Sequence, residues 1–302
     1  PVDRVDLKGD TLHNSDTISF LDSLPQIIAM PSVVANRVFM PSANGCIYSL
    51  STLSPEVRID TIRLDATPSS YVCNYKDSAW AVGCRNGVVF FGNFMNPVHS
   101  VKLKSDSAVN AVASLAGSSY TIAVIQSDGR LSLCTAGKNS ADLSIVVPGI
   151  APYTLFTGAL DRDTALEIVV SDSRHGLWVY ELDLKLAKGW KEKPTDWPST
   201  YAYIDTKKQN ADDRTVLPVN YSAPALADLD KDGHLDIVIS GTNGIYAFNY
   251  KNALLSGWPA YLDTRYWYQR GSVQSSPAIV CGANREPLVL FSSATGDNIT
   301  FR

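Results

Sequence analysis

Residues 228–236 read Asp-Leu-Asp-Lys-Asp-Gly-His-Leu-Asp, which sets carboxylates at loop positions 1, 3, 5 and 9 and a glycine at position 6. So dense a run of acidic side chains repels itself unless a cation sits among them. Calcium takes six to eight oxygen ligands, and alternate side chains of a tightly wound loop converge on one point. The expected ligands are the carboxylates of Asp228, Asp230, Asp232 and Asp236 with the backbone carbonyl of His234, while Gly233 permits the sharp turn. An EF-hand needs a bidentate Glu at its twelfth position. Here that residue is Ile239, and Ile237 to Ile239 reads as a strand rather than a helix, so Asp236 stands in as the closing ligand. Magnesium fits less well, because it keeps several of its waters.

A degraded copy of the frame lies upstream as Ala159-Leu-Asp161-Arg-Asp163-Thr-Ala-Leu-Glu167. Position 1 has lost its carboxylate and Thr164 replaces the turn glycine, so the expectation is a salt-bridged or water-filled turn rather than a calcium site.

Catalytic frames are absent from the sequence. His13, His99, His175 and His234 fall in no HExxH or nucleophile elbow, and no Gly-rich phosphate loop occurs. The expectation is therefore a non-enzymatic binding module. Its alternative is a calcium-assisted polysaccharide lyase or glycoside hydrolase, since acidic residues far apart in the chain can meet around one mouth. Trp190, Trp197, Trp258 and Trp267, with Tyr266 and Tyr268, are the aromatic candidates for a protein- or glycan-binding surface, with core packing as the competing use.

The elements that carry these residues repeat. An apolar strand, a turn with Gly and a second strand rich in aromatics occurs at Val38–Leu50, Ala79–Phe91 and Thr121–Leu133, with turn glycines Gly45, Gly87 and Gly129 spaced 42 residues apart each time. Looser copies follow at Ile168–Tyr180, Ile237–Phe248 and Leu288–Phe301. The Asn-Gly and Asp-Gly dipeptides suit tight hairpins, which need positive φ at their central residues. Apolar segments precede each hairpin (25–29, 70–73, 109–113, 153–156, 222–226 and 276–279) and read as innermost strands. Alternating stretches at Val57–Leu64 and Val98–Leu103 read as exposed outer strands.

Four strands per unit of this length predict an all-β fold, a β-propeller of six four-stranded blades. The N-terminal Val2–Leu7 is expected to complete the last blade and close the ring, with seven blades as the alternative if residues 8–24 hold further structure. The whole of 1–302 reads as one domain, with an insertion at about 188–218.

Composition agrees with a folded, strand-rich chain: 45% hydrophobic, 10% aromatic and 19% charged residues. A net charge of −4 without a Lys/Arg block makes nucleic acid a poor partner. No apolar stretch is long enough to span a membrane, and no signal segment is visible. Cys46, Cys73, Cys84, Cys134 and Cys281 sit in apolar, strand-like segments with no metal-ligand spacing, and are read as buried thiols.

The run Ser222–Phe248, followed by Gly257-Trp-Pro259, resembles the FG-GAP (VCBS-type) repeats of integrin-α-like propellers, especially those of secreted bacterial proteins. The likeness is partial at 153–190, weak at 271–302 and general at 25–148. It implies a calcium-stabilised propeller at the cell surface, in the periplasm or secreted, used for adhesion or for protein or glycan binding. It also implies one module of a longer polypeptide, monomeric as an isolated domain. The family's metal ligands fall on Asp228, Asp230, Asp232, His234 (carbonyl) and Asp236.

Overall fold

The computed structural model describes residues 4–5, 11–12, 26–51, 59–94, 96–161, 163, 165–172, 176–190, 223–240, 244–258, 260–261, 276–281, 286–292 and 298–301. Among these residues there is no helix, and every sheet is antiparallel. A two-stranded ribbon joins β1 (Arg4–Val5) to β2 (Thr11–Leu12). Then come β3 (Ser32–Val34), β4 (Arg37–Pro41), β5 (Cys46–Ser51) and β6 (Ile59–Arg63) as one sheet. The next holds β7 (Cys73–Lys76), β8 (Ala79–Gly83), β9 (Val88–Asn93) and β10 (Asn96–Lys102). A third holds β11 (Val109–Ser114), β12 (Ile122–Gln126), β13 (Arg130–Cys134) and β14 (Leu143–Val146). The fourth has three strands, β15 (Thr154–Gly158), β16 (Glu167–Ser171) and β17 (Leu177–Tyr180). The fifth has β18 (Ala225–Ala227), β19 (Asp236–Ser240), β20 (Gly244–Phe248) and β21 (Ala260–Tyr261). The sixth is β22 (Ala278–Cys281), β23 (Pro287–Ser292) and β24 (Asn298–Phe301).

Strands follow chain order within each sheet, and the first strand of one sheet lies against the first strand of the next: β3 by β7, β7 by β11, β11 by β15, and β18 by β22. Polar ties cross these seams. Ser69 Oγ donates to the Val109 carbonyl over 2.7 Å, and Thr157 Oγ1 to that of Ser114 over 2.6 Å. Successive meandering sheets with neighbouring first strands make a β-propeller.

The three evenly spaced hairpins turn as expected. Gly45, Gly87 and Gly129 have φ of 81°, 70° and 80°, the left-handed region that a β-carbon disfavours. Asn44 Oδ1 and Asp128 Oδ1 each accept the N–H two residues on, over 3.1 Å, which winds the turn locally.

The core is a series of layers, each between consecutive sheets. In β12, Ala123 and Ile125 pack toward Leu155, Ile168 and Trp178 of the following sheet, while Ile122 and Val124 pack toward Val89, Phe91 and Val101 of the preceding one. Alternate side chains thus feed opposite layers, and the central strands β8, β12, β16 and β19 are mostly apolar because both faces are covered.

Two strand positions are corrected. The strand expected at 25–29 lies at β3, with only an Ile27–Ser42 bridge upstream, and that expected at 70–73 lies at β7. In both, a tight turn sets the position. Val34 pairs with Arg37 across a turn holding Ala35 at φ 51°, and Lys76 pairs with Ala79 across one holding Asp77 at φ 40°. At the N-terminal strand the described pairings are Arg4 with Leu12 and Val5 with Thr11. β2 falls within the 8–24 stretch on which the seven-blade alternative turned. Two of the six larger sheets show three strands rather than four among the described residues. The insertion at 188–218 lies outside the described residues beyond Trp190.

Cys46, Cys73, Cys84 and Cys134 are free and buried, and burial pushes the thiols of Cys73, Cys84 and Cys134 up to about 12. The side chain of Cys281 lies outside the described residues. Among the described residues no helix is long and apolar enough to cross a membrane.

Candidate metal centre

The loop from β18 to β19 is wound by its own aspartates. Asp230 Oδ1 accepts the N–H of Asp232 over 3.2 Å, Asp232 Oδ1 that of His234 over 2.9 Å, and Asp228 Oδ2 that of Gly233 over 3.1 Å. Lys231 and Gly233 take φ of 62° and 87°, so the chain reverses tightly enough to turn alternate side chains inward. Each of these bonds occupies one carboxylate oxygen and leaves the other for a ligand.

Carboxylate oxygens of Asp228, Asp230 and Asp236 lie within 4.8 Å of one another. Oxygens so spaced can all sit about 2.4 Å from one calcium ion. Asp236 is buried and anchored, its Oδ2 accepting the N–H of Leu229 over 2.8 Å, and Asp228 Oδ1 is enclosed without a protein partner. Burial pushes the Asp236 carboxyl up to about 6; the Leu229 N–H opposes the rise, and the charges of Asp230, Asp232 and Asp228 add to it. An all-carboxylate donor set, an enclosed oxygen without a donor and mutual repulsion fit a hard divalent cation, which would hold Asp236 ionised.

Asp232 stands outside the convergent group. With His234, Tyr250, Asp161 and Asp163 it lines an open cleft of about 660 Å³ between the fourth and fifth sheets. The buried His234 ring lies 4.3 Å from that of Tyr250, centroid to centroid, and its Nδ1 has no hydrogen-bond partner. From the sequence only the carbonyl of His234 was expected to matter.

The degraded loop between β15 and β16 also brings carboxylates together. Asp161, Asp163 and Glu167 bring carboxylate oxygens within 4.8 Å of one another. Its bonding matches the intact loop 69 residues on: Asp161 Oδ1 accepts the N–H of Asp163, Asp163 Oδ1 that of Ala165, and Glu167 Oε2 that of Leu160. The signal was legible in the preserved offsets of positions 3, 5 and 9.

The aromatic candidates divide. Trp190 is buried between the fourth and fifth sheets among Leu160, Val179 and Phe248, and its Nε1 donates to the Tyr250 carbonyl over 3.0 Å, so it serves packing rather than an exposed surface. Trp258 is half-buried against the layer between the fifth and sixth sheets. Trp197 and Trp267 lie outside the described residues.

No family model matches the chain, and no curated protein matches it. Solved structures do. The chain is similar to BBS1N, a β-propeller, in a crystal structure of its complex with ARL6DN soaked with mercury: TM-score 0.60, 12% identity, covering 92% of this chain and 78% of that one. A crystal of the same complex soaked with lead gives TM-score 0.57 and 12% identity, covering 92% and 79%. Identity this low carries the fold and nothing finer.

Proposed function

We propose that this chain is a non-enzymatic, calcium-supported β-propeller module, a single domain over 1–302, that binds a protein partner. The observation that carries the calcium reading is the convergence of Asp228, Asp230 and Asp236 in a loop wound by its own side chains. The likeness of the loop to FG-GAP repeats supports the same ion and, with it, adhesion as the setting. Protein binding is supported by BBS1N, a propeller of like fold crystallised with a protein, ARL6DN.

Loops of this kind in extracellular modules bind calcium at about 10⁻⁴–10⁻³ M, so the ion fills the loop only where calcium is near millimolar, outside the cytosol. A secreted, periplasmic or surface location follows from the proposal. The test is to present the full chain to protein and glycan arrays in 1 mM calcium and in chelator. Protein ligands retained in calcium and weakened by Asp230→Ala are the expected result; binding only to glycans, or binding indifferent to both calcium and the substitution, would refute the reading.

A further inference from the structure

A cavity of about 380 Å³ lies between the fourth and fifth sheets, and its lining is uneven. Leu160, Val179 and Ala187, all buried, give it an apolar wall. Asp161 brings a carboxylate to it from the β15–β16 loop, Glu167 from the start of β16 and Glu181 from the residue after β17. Lys188 and Lys251 are exposed and stand where the cavity meets solvent.

One of the carboxylates is unsatisfied. Glu167 is only 3% exposed; its Oε2 accepts the Leu160 N–H, while its Oε1 is enclosed and has no hydrogen-bond partner. A buried carboxylate oxygen without a donor is costly unless something positive meets it. The lysines at the rim do not. The Lys251 ammonium stands over the Tyr250 ring, 4.9 Å from the centroid. Burial pushes the Glu167 carboxyl up to about 7, and the charges acting on it, Asp161, Glu181 and Asp163, are all negative.

An apolar wall leading to a buried, unpartnered anion matches one kind of side chain, a flexible four-carbon stem with a compact ammonium at its end. A guanidinium gains most from a planar partner, but the aromatic ring at the cavity, Tyr250, already carries the His234 ring, 4.3 Å between centroids, and the Lys251 ammonium. We propose that this cavity receives a lysine side chain of a protein partner, its stem along Leu160, Val179 and Ala187 and its ammonium between Glu167 Oε1 and Glu181. The ammonium supplies the donor that Glu167 lacks, in a cavity whose three carboxylates outnumber its two lysines. Burial of the stem against the apolar wall adds to the binding. This rests on the reading of the chain as a protein-binding module and names what the partner presents to it.

Calorimetric titration of the full chain with Nα-acetyl-lysine amide, in chelator so that no metal ion shares the cavity, tests the pocket. A dissociation constant on the order of 1 mM is expected for so small a ligand. Nα-acetyl-arginine amide should bind more weakly, and Nα-acetyl-norleucine amide, which keeps the stem and lacks the charge, should not bind. Glu167→Gln, nearly isosteric, should weaken the lysine probe by about tenfold or more. Glu181→Gln should do the same and decides the matter if the first variant fails to fold by circular dichroism. Asp163→Asn should leave the probe within about threefold, because Asp163 is exposed and lines the neighbouring cleft instead. An unbound lysine probe, equal binding of either other amide, or a folded Glu167→Gln protein that binds as the wild type does would overturn the proposal. So would a loss in Asp163→Asn as large as in Glu167→Gln, which would put the cation in the loop rather than the cavity. Protein ligands retained on the arrays while the lysine probe fails would sink this proposal alone; arrays that retain no protein while the probe binds would sink the protein-binding reading alone.

Discussion

The backbone N–H of Leu229 donates to Asp236 Oδ2 over 2.8 Å, so the acidic loop closes on its own last residue and the buried carboxylate is fixed before any ion arrives. Leu160 and Glu167 repeat the relationship one sheet earlier, over 2.5 Å. Both closing carboxylates open their strands, β19 and β16, and so inherit the rigidity of a fully buried strand.

Calcium at about 1 mM should raise the stability of the wild type by roughly 0.4–1.4 kcal/mol per filled site of this affinity class. For a domain of this size that is a rise in Tm of about 1–2 °C. The Asp230→Ala protein should lose the share due to the 228–236 loop. Paired thermal melts in calcium and in chelator measure both, and an undiminished response in Asp230→Ala would refute the ligand assignment.

In chelator, stability should fall as pH rises. Burial lifts Glu167 to about 7 from 4.5 and Asp236 to about 6 from 3.8, so between the unfolded and folded values the native state holds protons that the unfolded chain has released. Each carboxylate is therefore least costly below its unfolded value and fully costly above its folded one. Urea unfolding at pH 5 and pH 8 should show the drop. Glu167→Gln, which cannot ionise, should remove the Glu167 share and leave that of Asp236, and a pH-independent wild type in chelator would contradict the burial of these groups.

Trp190→Ala should act on stability. Its ring fills the layer between the fourth and fifth sheets and its Nε1 holds the Tyr250 carbonyl, so the loss is expected at about 3–5 kcal/mol. Urea unfolding at neutral pH would register it. A variant as stable as the wild type would place the ring at a surface instead.

Gly92→Ala should destabilise by about 1–3 kcal/mol through overpacking. A β-carbon at Gly92 would sit 2.0 Å from Cζ2 of Trp80, a fully buried ring held by its Nε1 bond to the Phe94 carbonyl over 2.8 Å. Chemical unfolding gives the number, and a neutral substitution would mean that the Trp80 ring can move aside.

Thiol reagents should spare Cys73, Cys84 and Cys134 in the native protein at pH 8, because burial both shields the sulfurs and keeps them protonated. Labelling followed by peptide mapping, with and without urea, checks this; native-state modification of any of the three would contradict it.

The sequence by itself determined the repeating hairpins, because a tight turn needs a residue that tolerates positive φ and Gly45, Gly87 and Gly129 announce it at equal intervals. It also determined the 228–236 loop, whose carboxylates are local and whose winding is done by neighbouring side chains. It misplaced β3 and β7, where Ala35 and Asp77 make turns that composition does not advertise. Only the tertiary structure decided that Trp190 faces a core layer, that Asp232 also lines a cleft shared with Asp161 and Asp163, and that Glu181 joins Glu167 at one cavity. Those are meetings between different sheets, and spacing along a chain carries no information about which side chains face one another once the sheets are packed.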